Sequence, residues 1–251
     1  LISTFGPLLV RHFDWRFPFI SFGSVGIVVA LAYLRLAKES PQAESRQKPS
    51  IGDVVQLFRH RFMWVIGVIQ YVRLGVVQGI LFWLPSLLID EKGLSLQATG
   101  LIIALQTLVI APSNMIGGYI SDRWKKPTLI IGLSLLILAM TTAALVRVDS
   151  VVALIALIFI NAIFIQFYFG PLFAVPVEKY GAGMMGTLLG FGNFFANLGG
   201  FTFTYLLGVL KDQTGYFESG FYAISAACLL GLVFTILLEK MRHTRDLISR
   251  D

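Results

Sequence analysis

PTLIIGLSLLILAMTTAALV, residues 127–146, holds no charged side chain in twenty positions and is bracketed by Lys126 and Arg147. Wound as a helix at ~1.5 Å per residue, such a run covers ~30 Å, the thickness of a bilayer's hydrocarbon core. Elements of a water-soluble core stop sooner, so the run reads as a membrane span. Runs of the same kind lie at about 17–36, 62–89, 96–120, 151–177, 184–210 and 216–238, which makes seven full candidates. Leu1 to Val10 is apolar but reaches only about half the needed length. With no initial methionine, it reads as the end of a helix that begins before Leu1.

Composition agrees with the spans. Of 251 residues, 56% are hydrophobic and 14% charged, where a soluble domain carries roughly a quarter charged. Cys228 lies in an apolar run without a second cysteine, so no disulfide is expected. His12, His60 and His243 form no i, i+4 pair, so neither a metal site nor another cofactor is expected. The chain has no Gly-Lys dipeptide, which excludes a P-loop and ATP-driven transport. No acid, histidine and nucleophile cluster at one membrane face, so an enzyme is not expected. The net charge of +6 comes from basic residues flanking apolar runs, which points to membrane topology rather than nucleic acid.

Basic residues near helix ends stay on the cytoplasmic side. The connection from Arg35 to Arg61, the loop with Arg123, Lys125 and Lys126, the loop with Lys179, and the tail after Lys240 together hold fourteen. The opposite side holds five: Arg11, Arg16, Lys92, Arg147 and Lys211. This places the long loop and the C-terminus in the cytoplasm. Trp15, Trp64, Trp83 and Trp124 all fall near span ends, where amphipathic rings collect. The one long polar connection, Ala37 to Arg61, reads as a linker between bundles, and the short loops beyond it predict a compact unit of six helices.

Gly117, Gly118, Tyr119, Ile120, Ser121, Asp122, Arg123, Trp124, Lys125, Lys126 and Pro127 follow one another at the cytoplasmic end of the third full span. This run resembles the loop signature of the major facilitator superfamily in the copy between its eighth and ninth helices, with Trp124 where the family carries a glycine. The resemblance implies an all-α integral membrane protein, a helical bundle of inverted three-helix repeats with a truncated N-terminal half. Residues 1–36 would be the end of the N-terminal bundle (part of helix five, and helix six), 37–61 the central loop, 62–239 helices seven to twelve, and 240–251 the tail. It also implies alternating access between two bundles, with H+ or a counter-substrate as the coupled species, and a protein that is monomeric at full length. Gly118, Asp122 and Arg123 would then act in the cytoplasmic gate, Asp122 facing a helix N-terminus and Arg123 an acid. The plainer reading of the same loop is a solvated basic turn.

Arg73 is the most informative residue of the spans. It lies eleven positions into the run from Phe62, ~16 Å deep at the helical rise. An arginine near the midplane is costly unless it faces a watery cavity or a partner. Its planar fork of donors suits carboxylate or phosphate. Gln70 lies one turn away, and Tyr71 and Gln78 form a second stripe. Gln106, Ser113 and Gly117 share a face in the next span, as do Asn161 and Tyr168 further on. Each pair suits a cavity lining or interhelical hydrogen bonding equally. Gly186, Gly190, Asn193, Asn197 and Gly200 repeat at steps of four and three. Packing is the expected role for those glycines, while Asn193 and Asn197 suit packing and binding alike. Pro85, Pro112, Pro171 and Pro176 each remove a backbone donor, and Gly170 followed by Pro171 is the expected hinge.

Gly79 to Pro85 is similar to the helix-seven ending of organophosphate antiporters and anion symporters, and Val175 to Asn193 is similar in type to theirs. Measured from Trp83 and Pro85, their arginine would fall at Val77, whereas here it stands one turn earlier at Arg73. The expected function is secondary transport of a small organic anion across the plasma or inner membrane. The alternative is a non-transporting half-module or sensor that assembles with another chain. No span carries an interior Asp or Glu, so if transport is proton-coupled the titrating carboxylate would belong to the first four helices, and otherwise the mechanism would be exchange.

Overall fold

The computed structural model describes residues 16–36 and 51–248, and every regular element among them is helical. The chain divides into two units, Leu1–Gln47 and Lys48–Asp251. In the first, helix α1 (Arg16–Leu36) contains an apolar window, Phe19–Leu36, long enough to cross a membrane. The partial span at Leu1–Val10 lies outside the described residues.

The second unit begins with α2 (Ile51–Arg59), so the expected polar linker ends in a short helix whose Leu57 is buried. There follow α3 (Arg61–Ser86), which continues as a π-helical turn (Leu87–Glu91), α4 (Leu96–Trp124), α5 (Pro127–Arg147), α6 (Val151–Phe167), α7 (Phe169–Tyr180), α8 (Met185–Thr214) and α9 (Glu218–Ile248). With α1, six stretches of the described residues are long and apolar enough to span a bilayer. The expected span at 184–210 is a helix of 30 residues, but it is not among those six. Five glycines and two asparagines between Gly186 and Gly200 dilute its apolarity.

Local chemistry sets the helix ends. Ser95 Oγ accepts the Ala98 N–H and caps α4, while Pro127 opens α5, where its missing donor costs nothing. At the opposite ends, Lys92 Nζ donates to the Val146 and Val148 carbonyls at 2.9 and 3.0 Å, and a Glu91 carboxylate oxygen accepts the Phe217 N–H before α9. The cation thus sits at a helix C-terminus and the anion at an N-terminus, as the helix dipole favours.

The helices pair as two inverted repeats. The most extensive contacts join α3 to α8, α5 to α9, α4 to α6, α3 to α9, and α5 to α6. Exchanging α3 with α6, α4 with α8 and α5 with α9 maps this set onto itself. The closest approaches obey the same exchange. A Cβ on Gly199 of α8 would overlap the Tyr71 carbonyl oxygen of α3, and one on Gly117 of α4 would overlap the Phe167 carbonyl oxygen of α6. The second helix of each repeat therefore lays a glycine on a backbone carbonyl of the other repeat's first helix, the small-residue packing that spans use in lipid.

One expectation is corrected here, and one span that holds as expected is found to be interrupted. The glycines of α8 that touch α3 are Gly192, Gly199, Gly200 and Gly208, whereas a Cβ at Gly186 or Gly190 would meet nothing within 4 Å. The span expected over 151–177 is two helices broken at Tyr168 (φ −99°, ψ 5°). Pro171 has no N–H to offer the carbonyl four residues back, and that carbonyl belongs to Phe167. The interruption therefore falls just ahead of the Gly170–Pro171 hinge candidate.

Candidate substrate site

Arg73 stands at the middle of α3, 4% exposed. Its Nε donates to Gln70 Oε1 at 2.8 Å, one turn back along the same helix. The guanidinium carbon lies 4.8 Å from the Phe169 ring centroid and 5.8 Å from that of Phe173. None of the ion pairs among the described residues includes Arg73. The charge is thus held by one amide oxygen and two ring faces of α7, a cation–π arrangement worth ~2 kcal/mol when desolvated. An aromatic face leaves the planar edge of the guanidinium, with its paired Nη donors, available for a bidentate anion.

Tyr168 precedes Phe169 at the break and is fully buried. Its hydroxyl has no hydrogen-bond partner, and neither atom of the Gln106 amide has one, although Gln106 is 1% exposed. An unsatisfied buried polar group costs ~1–3 kcal/mol. Of the two roles expected equally for Gln106, interhelical hydrogen bonding is therefore not what this structure shows. Ser113, on the same face, donates to the Val109 carbonyl of its own helix.

The other candidates are distributed elsewhere. Asn161 Nδ2 donates to Thr141 Oγ1 and Thr142 Oγ1, both at 3.1 Å, so its donors tie α6 to α5. The Tyr71 ring meets Phe203 of α8 edge-on at 5.7 Å, and the Gln78 stem lies against Gly200. Asn193 and Asn197 are exposed, and Asn197 Nδ2 donates to the Asn193 carbonyl at 2.8 Å. Of the nine candidate binding residues, Gln70 and Arg73 come together, and Tyr168 adjoins Phe169, which covers Arg73. Phe169 and Phe173 were not singled out in the sequence, and their signal is an aromatic pair four apart immediately after the break.

Among the gate candidates, a Cβ on Gly170 would lie 3.6 Å from Gly118 Cα, so these two backbones meet although 52 positions separate them. Gly117 and Gly118 therefore both seat against the α6–α7 break that Pro171 creates. Asp122 and Arg123 are exposed at the end of α4. Lys125 ends that helix in the left-handed region at φ 54°, alone among the described non-glycine residues. At the same end, Arg242 of α9 pairs with Glu178 of α7 at 2.8 Å and with Glu239 at 3.7 Å.

A multi-pass helical bundle of two inverted repeats, with a buried arginine facing a broken helix, defines the architecture of a membrane transporter module. The chain belongs to the Major Facilitator Superfamily, whose family model matches residues 1–204. It is 24% identical over 267 residues to the hexuronate transporter of Bacillus subtilis, covering 98% of this chain and 62% of that protein. It is 25% identical over 264 residues to a probable sulfoacetate transporter of Cupriavidus necator, covering 93% of this chain and 60% of the relative. The crystal structure of the E. coli fucose:proton symporter superposes with a TM-score of 0.71 at 16% identity, covering 89% of this chain and 55% of that one. The chain thus spans about three-fifths of the length of these curated relatives.

Proposed function

We propose that this chain supplies the C-terminal bundle of a secondary transporter for a small organic anion, working by alternating access, with Arg73 as the anion-binding residue. The observation that carries the reading is a midplane arginine that, among the described residues, has no carboxylate partner and is held by an amide and two aromatic rings. A substrate carboxylate, sulfonate or phosphate would neutralise it and take its free fork. The buried Tyr168 hydroxyl and Gln106 amide, which lack partners, are further candidate donors to a polar substrate. The names of the relatives, hexuronate and sulfoacetate, denote anions of this size. The excess of basic residues in one set of loops supports a cytoplasmic long connection and C-terminus, and with them a cytoplasmic gate at the Gly117–Asp122 end of α4.

Uptake of labelled hexuronate and sulfoacetate into cells expressing the full-length protein tests the assignment. Arg73→Lys keeps the charge but loses the planar fork, and Arg73→Gln loses both. Both variants should reach the membrane at wild-type levels and lose at least ~100-fold in uptake, the cost of a charge-assisted bidentate pair of ~3 kcal/mol. Undiminished uptake by Arg73→Gln would refute the role.

A further inference from the structure

A groove of about 690 Å³ runs along the outer surface of the second unit between α5 and α9, away from Arg73. Leu129, Leu133 and Leu136 form one wall, and Leu232 and Ile236 the other. Gly132 and Thr235 form its floor, with Leu232 Cδ1 3.2 Å from where a Gly132 Cβ would stand. Thr235 Oγ1 donates to the Gly231 carbonyl of its own helix at 2.8 Å, so the floor presents no open donor. From Leu129 to Leu136 the groove follows ~10 Å of span at the helical rise.

One end differs sharply in chemistry. Lys126, just before α5, and Lys240, in α9, stand at the mouth with Thr128 and Glu239. The Glu239 carboxylate takes the Thr128 hydroxyl and lies 3.7 Å from Arg242, so the acid at the mouth is already engaged by donors. Two amines therefore flank an aliphatic channel at the depth where a span meets the headgroups. Lysine stems lie along apolar surface and carry the charge out to that level.

We infer that this groove is a binding site for an anionic phospholipid, one acyl chain lying between α5 and α9 and the headgroup phosphate held between Lys126 and Lys240. The walls offer no hydrogen-bond donors, which excludes a polar solute along the groove, and the mouth carries the charge complementary to a phosphate. Trp124, half-exposed two residues before Lys126, marks the same interface. The site belongs to the third helix of each repeat and is independent of the anion assignment at Arg73.

Native mass spectrometry of the full-length protein in detergent, titrated with phosphatidylglycerol and with phosphatidylcholine of the same chains, reads the site directly. Wild type should retain phosphatidylglycerol on the order of thirtyfold more tightly, as two amines at a membrane surface would give. The double variant Lys126→Gln, Lys240→Gln should bind both lipids equally. Leu136→Trp, which fills the groove from a half-exposed position, should reduce both. Circular dichroism and elution volume check that each variant is folded, and Lys126→Arg should retain the preference. Equal retention of the two lipids by wild type, an unchanged preference in the double variant, or a doubled protein mass occupying this face in place of lipid would each overturn the proposal. Anion uptake by the double variant separates this site from Arg73, since its loss of lipid preference with intact uptake leaves the Arg73 reading standing.

Discussion

Gly117 and Gly118 are adjacent in sequence and in helix α4, yet the structure assigns alanine substitutions at them opposite effects. A methyl group at Gly117 would overlap the Phe167 carbonyl oxygen and approach the backbone on either side of it, and backbone cannot step aside as a side-chain end can. Overpacking of this kind costs ~1–3 kcal/mol, and the better helix propensity of alanine returns up to ~1 kcal/mol. So close an approach to backbone takes the upper half of that cost, so the balance is a loss of ~1–2 kcal/mol. At Gly118 a methyl group would meet nothing within 4 Å, so the propensity gain of ~0.5–1 kcal/mol stands alone. For a unit of about 200 residues, 1 kcal/mol moves the melting temperature by ~2–4 °C. Gly117→Ala should thus melt ~2–8 °C below wild type in detergent, and Gly118→Ala ~1–4 °C above it, by intrinsic fluorescence at one protein concentration and scan rate. Gly199→Ala, against the Tyr71 carbonyl, and Gly190→Ala, in open space, should repeat the contrast in the other repeat. If Gly117→Ala melts at or above Gly118→Ala, the close approach of α4 to the α6–α7 break is wrong.

Lys125→Gly should raise the melting temperature by ~2–4 °C, because the left-handed conformation that ends α4 carries a penalty of ~1 kcal/mol for a side chain and none for glycine. Lys92→Met removes both hydrogen bonds to the Val146 and Val148 carbonyls and should cost ~1–3 kcal/mol, read as lower thermal stability. Arg242→Ala breaks two part-exposed ion pairs worth at most ~1 kcal/mol each, so global stability should barely move. Hydrogen exchange of residues 169–180 should nevertheless accelerate, since Glu178 loses its tie to α9.

Apolar length and loop charge carry most of the fold in the sequence, because a bilayer requires long uncharged runs and each run ends at a charge. The midplane depth of Arg73 and its pairing with Gln70 follow from helical spacing alone. The register of α8 does not. Each step along a helix turns the face by 100°, and Gly186, Gly190, Asn193 and Asn197 form a continuous stripe by spacing. The neighbour that decides which stripe packs is α3, which is more than a hundred residues away in sequence, and it selects Gly192 and Gly199. The break in the fifth long span shows a different limit. Pro171 announces it, but the residue that loses its partner is Phe167, so the cap and the aromatic pair fall at Tyr168, Phe169 and Phe173. Asn161 and Tyr168 share a helical face, yet only the position of α5 decides that the Asn161 donors meet Thr141 and Thr142.

Segment α7 is held at both ends, at Arg73 and at α9, and follows a break in the helical ladder, so it would couple the candidate site to the candidate gate of the proposed transporter. Phe169 and Phe173 cover the Arg73 guanidinium, and Glu178 reaches Arg242 of α9. Across the break the helical ladder resumes with the Leu172 N–H on the Tyr168 carbonyl, while the Phe167 carbonyl faces Gly117. An anion on Arg73 neutralises the charge that attracts the two rings, so binding weakens the hold of α3 on the start of α7. On the proposed function, the far end of α7 would keep its ion pair to Arg242 while the segment turned about Tyr168 against the Gly118–Gly170 contact. A ligand shifts such an equilibrium only by its differential affinity for the two arrangements. Replacing Phe169 and Phe173 by leucine removes the competing attraction while keeping apolar bulk. Anion binding to the double variant should strengthen, by up to ~30-fold for a cation–π contact of ~2 kcal/mol, while exchange protection of residues 169–180 ceases to depend on the anion. Unchanged affinity together with anion-dependent protection would show that the rings merely fill space beside Arg73.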